Sequence, residues 1–145
     1  MNECLFCRIA KGREKSWIVY QDRFVIALLN PYPLTKGHTL IIPTHHYESI
    51  FDIPSPLLNR IMSLSKRLSE KYERTLKIQG VAIEVLNHNR KSKAFKHFHL
   101  HLIPRYDKSS KRDPANVKPG AKLPRVTDRT LNSILSLVKG LQNNG

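Results

Sequence analysis

The segment His97-Phe98-His99-Leu100-His101-Leu102-Ile103 alternates imidazole with apolar side chains and runs into Pro104. In an extended strand successive side chains point to opposite faces, so this spacing predicts three imidazoles on one face and Phe98, Leu100 and Leu102 on the other. A strand is expected over Phe95 to Ile103. A single histidine is commonly a satisfied core residue or a surface one. Three in strict alternation within an apolar strand call for chemistry, and three readings stand. The imidazoles converge on a metal ion, or one attacks phosphorus while a neighbour assists, or one serves a metal while the others do chemistry.

Outward from that strand, Trp17-Ile18-Val19-Tyr20 and Phe24-Val25-Ile26-Ala27-Leu28-Leu29 flank Gln21-Asp22-Arg23 and predict a hairpin. Asn30-Pro31-Tyr32-Pro33 breaks the run, and Thr39-Leu40-Ile41-Ile42-Pro43 reads as a strand buried on both faces. Ser55-Pro56 suits an N-cap followed by a first-turn proline. Leu57, Leu58, Ile61, Met62, Leu64, Leu68 and Tyr72 then recur at helical spacing, predicting a helix from Pro56 to Thr75 that Gly80 punctuates. Val81 to Leu86 is a further strand. Thr127 or Asp128 caps a closing helix with Leu131, Ile134, Leu135, Leu137 and Val138 as its apolar stripe. The organisation expected is a catalytic domain over residues 1–106, an exposed basic loop over 107–126, and a C-terminal helix and tail over 127–145.

The 145 residues suffice for one sizeable core. Met1-Asn2-Glu3-Cys4 carries no signal-peptide core and no long uncharged apolar run follows, so a cytoplasmic protein without membrane attachment is expected. Two cysteines exclude a disulfide-rich scaffold. As Cys4-Leu5-Phe6-Cys7 they suit a metal ion or a redox pair, and with His45 or His46 and one triad histidine they complete a tetrahedral zinc shell. The net charge of +14 favours a polyanionic ligand.

These residues closely resemble the histidine triad family, whose signature of alternating histidines and apolar residues is matched at every position from His97 to Ile103. The similarity extends through Cys4-Leu5-Phe6-Cys7, Val19-Tyr20, Lys36-Gly37-His38-Thr39-Leu40 and Ile42-Pro43-Thr44-His45-His46. It implies an α+β fold, a five-stranded antiparallel sheet with one long helix and here a C-terminal helix, usually doubled into a homodimer. It also implies hydrolysis or transfer at the α-phosphorus of an adenine nucleotide through a nucleotidyl-histidine on His99, with His101 hydrogen-bonding phosphate oxygens. The resemblance places a structural zinc ion on Cys4, Cys7, His46 and His97, with His45 as the fallback ligand. No catalytic cofactor is required, and magnesium arrives with substrate if at all.

Phe6, Ile9 and Leu28 correspond to the family's apolar base pocket and Asn30 to its ribose contact, while Asn87 matches an upstream asparagine near the phosphates. Asn30 with Pro33 and Gly37-His38 is similar to the fragile histidine triad branch, which hydrolyses dinucleoside polyphosphates; a nucleoside phosphoramidate is the other substrate class. One departure concerns Asn87 to Lys96, where Lys93 and Ala94 stand in place of the family's phosphate-contacting glutamine and hydroxyl residue. Two readings of Lys93 stand: a direct contact that favours highly charged leaving groups, or a side chain swung into solvent that adds only diffuse potential. Two alternatives remain: Lys91, Lys93, Lys96, Arg105, Lys108, Lys111 and Arg112 form a cationic rim for nucleic acid, or the chain is a nucleotide-binding interaction protein. The first lacks a stacking platform, and an intact His99 argues against the second.

Overall fold

The structure is a computed structural model that describes residues 3–87, 96–107, 113–117 and 122–142. A short helix α1 (Leu5–Ala10) precedes strands β1 (Ile18–Gln21), β2 (Val25–Leu29) and β3 (Thr39–Pro43); helix α2 (Ser55–Leu76), strands β4 (Gly80–Val85) and β5 (Leu100–Arg105), and helix α3 (Asp128–Val138) follow. The strands form one antiparallel sheet in the order β1-β2-β3-β5-β4. This is the five-stranded α+β architecture expected.

The hairpin forms because Asp22 Oδ1 accepts from the amides of Phe24 and Val25, at 2.7 and 2.9 Å, which turns the chain between two β-branched runs. Helix α2 begins one residue earlier than the Ser55 cap predicts. Pro54 is the N-cap, without a side-chain bond, and its carbonyl accepts from Leu57 and Leu58. The helix ends before Gly80, because Lys77 takes a left-handed conformation at φ 59°. Met62 and Leu137, read as apolar-stripe positions, are exposed, at the margins of their helices' buried faces.

Register divides the sheet into two faces. Ala27, Ile41, Leu100 and Leu102 pack with Ile61, Leu64, Leu68 and Tyr72 of α2 and with Leu131, Ile134 and Val138 of α3 in the main core. Ile26, Leu28, Leu40 and Ile42 point the other way and meet Phe6 and Ile9 of α1 in a smaller cluster. His101 pairs in register with Leu40, so it lies on the α1 face.

Strand β5 is shorter at its start than expected and runs past Pro104. Pro43, which carries no amide hydrogen, ends β3, and Phe98 donates instead to the Tyr47 carbonyl at 2.6 Å. Pro104 is tolerated because the ladder with β3 has already ended at Leu102, leaving only β4 beside it. The stretch expected to be an exposed basic loop contains a buried acid. Asp113, with its side chain 1% exposed, takes a bidentate bond from Arg105 and caps a short 3-10 turn (Pro114–Asn116).

Candidate functional site

Helix α1, which sequence periodicity could not register in six residues, puts the two cysteines on one turn: Cys4 is its N-cap and its Sγ accepts from the Cys7 amide at 3.2 Å. The turn after β3 brings His46 and the chain before β5 brings His97 to the same point. Cys4 Sγ, Cys7 Sγ, His46 Nδ1 and His97 Nδ1 all lie within 4.8 Å of one another. Individual separations are 3.0 Å between the sulfurs, 3.2 Å between the nitrogens and 3.3–3.6 Å between sulfur and nitrogen. A tetrahedral ion with bonds of about 2.3 Å to sulfur and 2.0–2.1 Å to nitrogen requires edges of roughly 3.3–3.8 Å. The sulfur–nitrogen separations lie in that range and the nitrogen pair is close to it, while the sulfur pair, at 3.0 Å, would have to open to about 3.8 Å to hold one zinc ion.

The surroundings suit such an ion. His97 Nε2 faces the Pro43 carbonyl at 3.0 Å; a carbonyl only accepts, so the proton sits on Nε2 and the lone pair on Nδ1 points into the cluster. Burial, with Cys4 beside it, pushes the Cys7 thiol up to about 11. A cation is what reverses such a shift by stabilising thiolates. His45 is not among the four; its Nδ1 lies 3.5 Å from Thr44 Oγ1.

His99 has its Nδ1 2.7 Å from the His97 carbonyl, which again assigns the proton to Nδ1 and the lone pair to Nε2. Its ring stands edge-on to Phe6 at 5.6 Å and to His101 at 5.0 Å. His101 Nδ1 is 2.9 Å from His38 Nε2, and His38 Nδ1 accepts from the Leu34 amide at 3.0 Å. The backbone amide therefore sets both tautomers: His38 carries its proton on Nε2 and donates it to His101 Nδ1, so His101 carries its own on Nε2. Burial lowers His38 to about 3 and His101 to about 4, each helped by the neighbouring imidazole, and both rings are neutral near pH 7. His38 was not singled out from sequence as a site residue; its place before an apolar strand gave no sign of a partner.

Beside the triad a cleft of about 410 Å³ is lined by Phe6, Ile9, Leu28, Leu40 and Asn30. Four of these are the residues assigned from sequence to the nucleoside pocket. Asn30 Oδ1 accepts from the Tyr32 amide at 2.9 Å, which leaves the amide nitrogen as its donor. The cleft continues over Lys15, Trp17, Tyr32 and Arg125, which sequence reading missed. Arg125 arrives because the Val126 amide donates to Pro31 O at 2.9 Å. Asn87 does not line this cleft: its Oδ1 accepts from the Ile50 amide at 2.8 Å. Lys93 and Ala94 lie outside the described residues. Arg105, counted among the rim cations, is bonded to Asp113 instead.

This sheet, with His101 on β5, His97 and His99 on the chain leading into it and an apolar cleft beside them, has known counterparts. The profile of the HIT domain family matches residues 11–108, and the chain belongs to that family. It is 34% identical over 109 residues to the adenosine 5'-monophosphoramidase HNT1 of Saccharomyces cerevisiae, covering 74% of this chain and 65% of that one. Among solved structures, a hypothetical histidine triad nucleotide-binding protein from Sulfolobus tokodaii superposes with a TM-score of 0.77 at 24% identity, covering 93% of this chain and 89% of that one. A zinc-bound histidine triad family protein from Mycobacterium smegmatis gives 0.68 at 25% identity, covering 92% and 94%. Among the described residues no helix is long and apolar enough to cross a membrane.

Proposed function

We propose that the chain is a nucleotide hydrolase or nucleotidyl transferase acting at the α-phosphorus through a covalent intermediate on His99. The observation that carries the reading is the His99 Nδ1 bond to the His97 carbonyl, which leaves the Nε2 lone pair as nucleophile between an apolar cleft and a second, protonated nitrogen on His101. The base lies against Phe6, Ile9 and Leu28, and Asn30 donates to a ribose hydroxyl. His99 Nε2 attacks phosphorus, the P–N bond to His99 forms as the bond to the leaving group breaks, and the leaving group departs with a proton taken from bulk water. His101 Nε2–H donates to a non-bridging oxygen as charge develops there. Water then adds to phosphorus and gives up one proton to solvent, the P–N bond to His99 breaks, and a nucleoside monophosphate is released with His99 regenerated.

The substrate proposed first is an adenosine phosphoramidate, supported by the likeness to HNT1. A dinucleoside polyphosphate is the second, supported by the Asn30–Pro33 segment and by Lys93 in place of a glutamine; magnesium would accompany that substrate. A structural zinc ion on Cys4, Cys7, His46 and His97 would tie α1, the turn after β3 and the approach to β5 together, and no reaction step passes through it. Reduced cysteines of this kind favour a cytoplasmic setting. A homodimer through β4 is part of the same reading, since that edge strand and the adjoining helix expose Ile83 and Met62. Nucleic acid is the less favoured ligand.

The test is acid quenching with adenosine phosphoramidate followed by mass spectrometry. A nucleotidyl adduct on His99, absent in His99→Ala, is expected, together with loss of turnover and retention of nucleotide binding. A His99→Ala protein of near-normal activity sinks the assignment; His101→Ala should be the milder of the two.

A further inference from the structure

We infer that Thr35 and Tyr106 are positioning residues for His101: they latch the turn that carries His38 onto the far end of β5, and so hold the bond that fixes the His101 tautomer. The kinetic consequence rests on the hydrolase reading above; the latch itself does not.

His38 precedes β3 and belongs to a turn closed by its own amide, which donates to the Thr35 carbonyl at 3.1 Å, with Gly37 at φ 88°. Two side-chain bonds join this turn to β5. Thr35 Oγ1 donates to the Pro104 carbonyl at 2.6 Å, and Tyr106 Oη donates to the Lys36 carbonyl at 2.7 Å. The first bond lies beyond the last register pair between β3 and β5, Thr39 with Leu102, so Thr35 extends the contact of the two segments past the ladder. In the second, burial pushes Tyr106 up to about 12, and the phenol remains a donor throughout the neutral range.

Pro104 follows His101 on β5, and Tyr106 is the first residue beyond that strand. The turn bearing His38 is thus fastened to the element that bears His101, and the 2.9 Å separation of the two rings is set by one short piece of extended backbone. The Thr39–Leu102 pair fixes the backbone of His38 from its C-terminal side, and the latch fixes it from the other. Arg105 lies between the two latch points; its bidentate bond to buried Asp113 keeps the strand end from fraying and presents Tyr106 to the turn. Without the latch the Leu34-to-His38 bond survives, because both groups move with the turn. The bond from His38 to His101 is the one exposed to that motion.

The test uses the full zinc-loaded chain and the variants Tyr106→Phe, Thr35→Val and their combination. Long-range nitrogen–proton NMR of the imidazoles at pH 7.5 reports each tautomer directly. In the unaltered chain His38 and His101 should each carry the proton on Nε2; in the variants His101 should become a mixture, with the His38 Nε2 proton broadened by exchange. With adenosine phosphoramidate each single variant should lower kcat about three- to tenfold, the effect of one lost hydrogen bond, with KM within about twofold. Unchanged tautomers in the folded double variant overturn the inference, as does a fall in kcat that leaves the tautomers alone. Tyr106→Phe removes one oxygen, and it decides the matter if the double variant does not fold. The NMR arm needs no turnover, so a chain inactive toward nucleotides would refute the hydrolase reading and still report on the latch.

Discussion

His38 Nε2 and His101 Nδ1 meet at 2.9 Å although 63 residues separate them. A hydrogen bond between two imidazoles requires one proton between them, so at least one ring must be neutral and their tautomers cannot be chosen independently. Here the choice is made by the backbone amide of Leu34 and passed on through His38. His97 and His99 have their tautomers set by the carbonyls of Pro43 and His97. Each imidazole in the array is thereby assigned one lone pair by a main-chain group, without a carboxylate.

One consequence is a pH dependence of stability. Burial depresses His38 to about 3 and His101 to about 4 from an ordinary 6.5. The unfolded chain therefore binds protons that the folded one refuses, and the sign follows: stability is full above pH 6.5 and is lost as pH falls from there toward 4. Calorimetry from pH 7.5 to 4 should show the unaltered chain losing stability more steeply than His38→Gln, which cannot take up that proton. Equal slopes would mean that His38 is not held neutral by the fold.

The metal cluster predicts an asymmetry between adjacent histidines. Structural zinc is worth about 10–16 kcal/mol over four ligands, so loss of one should weaken binding on the order of a hundredfold or more. His46→Ala, Cys4→Ser and Cys7→Ser should each do so and lower the melting temperature, whereas His45→Ala should do neither. Elemental analysis of protein purified without added metal, followed by titration with zinc, distinguishes them. Equal losses for His45→Ala and His46→Ala would rule out the assignment.

The sheet and the triad were legible because their signals are local. Alternation from His97 to Leu102, two β-branched runs and the Leu57–Tyr72 spacing each report on neighbours along one element. Features that depend on pairing across the chain were not legible. Helix α1 is too short for a period, and it is fastened through Cys4 and through Phe6 and Ile9 packing on the sheet. Asp113 is an acid in a basic stretch whose partner, Arg105, stands at the end of β5, a pairing that no local pattern signals. Asn87, matched by position to a phosphate contact, also holds the Ile50 backbone through its Oδ1, a bond between distant segments. The faces of α3 were readable, but not that the segment leading into it reaches the cleft.

That segment supplies a third test. Arg125 lines the outer end of the cleft, its guanidinium 5.6 Å from the Trp17 ring and bonded to Asp128 on α3. It stands on the β1 side of a sheet whose β5 carries His101, three strand spacings away, or about 14 Å, so on the proposed reading it meets the base end of a nucleotide and not the phosphorus. Arg125→Ala should therefore raise KM several-fold and leave kcat unchanged, the pattern of lost uniform binding. Because the side chain is 43% exposed and its ion pair with Asp128 is equally so, the melting temperature should shift little. A change in kcat alone would place Arg125 at the chemistry and contradict the orientation of the cleft.

Gly37 joins stability to the site. Its φ of 88° is one that L side chains rarely adopt, and an added Cβ would lie 2.6 Å from Leu76 Cδ1 and 3.3 Å from Pro104 Cγ. The two costs are separable. The backbone cost stays whatever the neighbours do, about 1–2 kcal/mol, while the clash is relieved if Leu76 is shortened. Gly37→Ala should therefore lose about 2–4 kcal/mol, a drop in melting temperature on the order of 10 °C. In the Leu76→Ala background the same substitution should cost only the backbone share, a coupling that a double-mutant cycle measures. Since Gly37 immediately precedes His38, the folded Gly37→Ala protein should also lose kcat well below its melting temperature. Full kcat there would show that the His38 ring tolerates displacement of its turn.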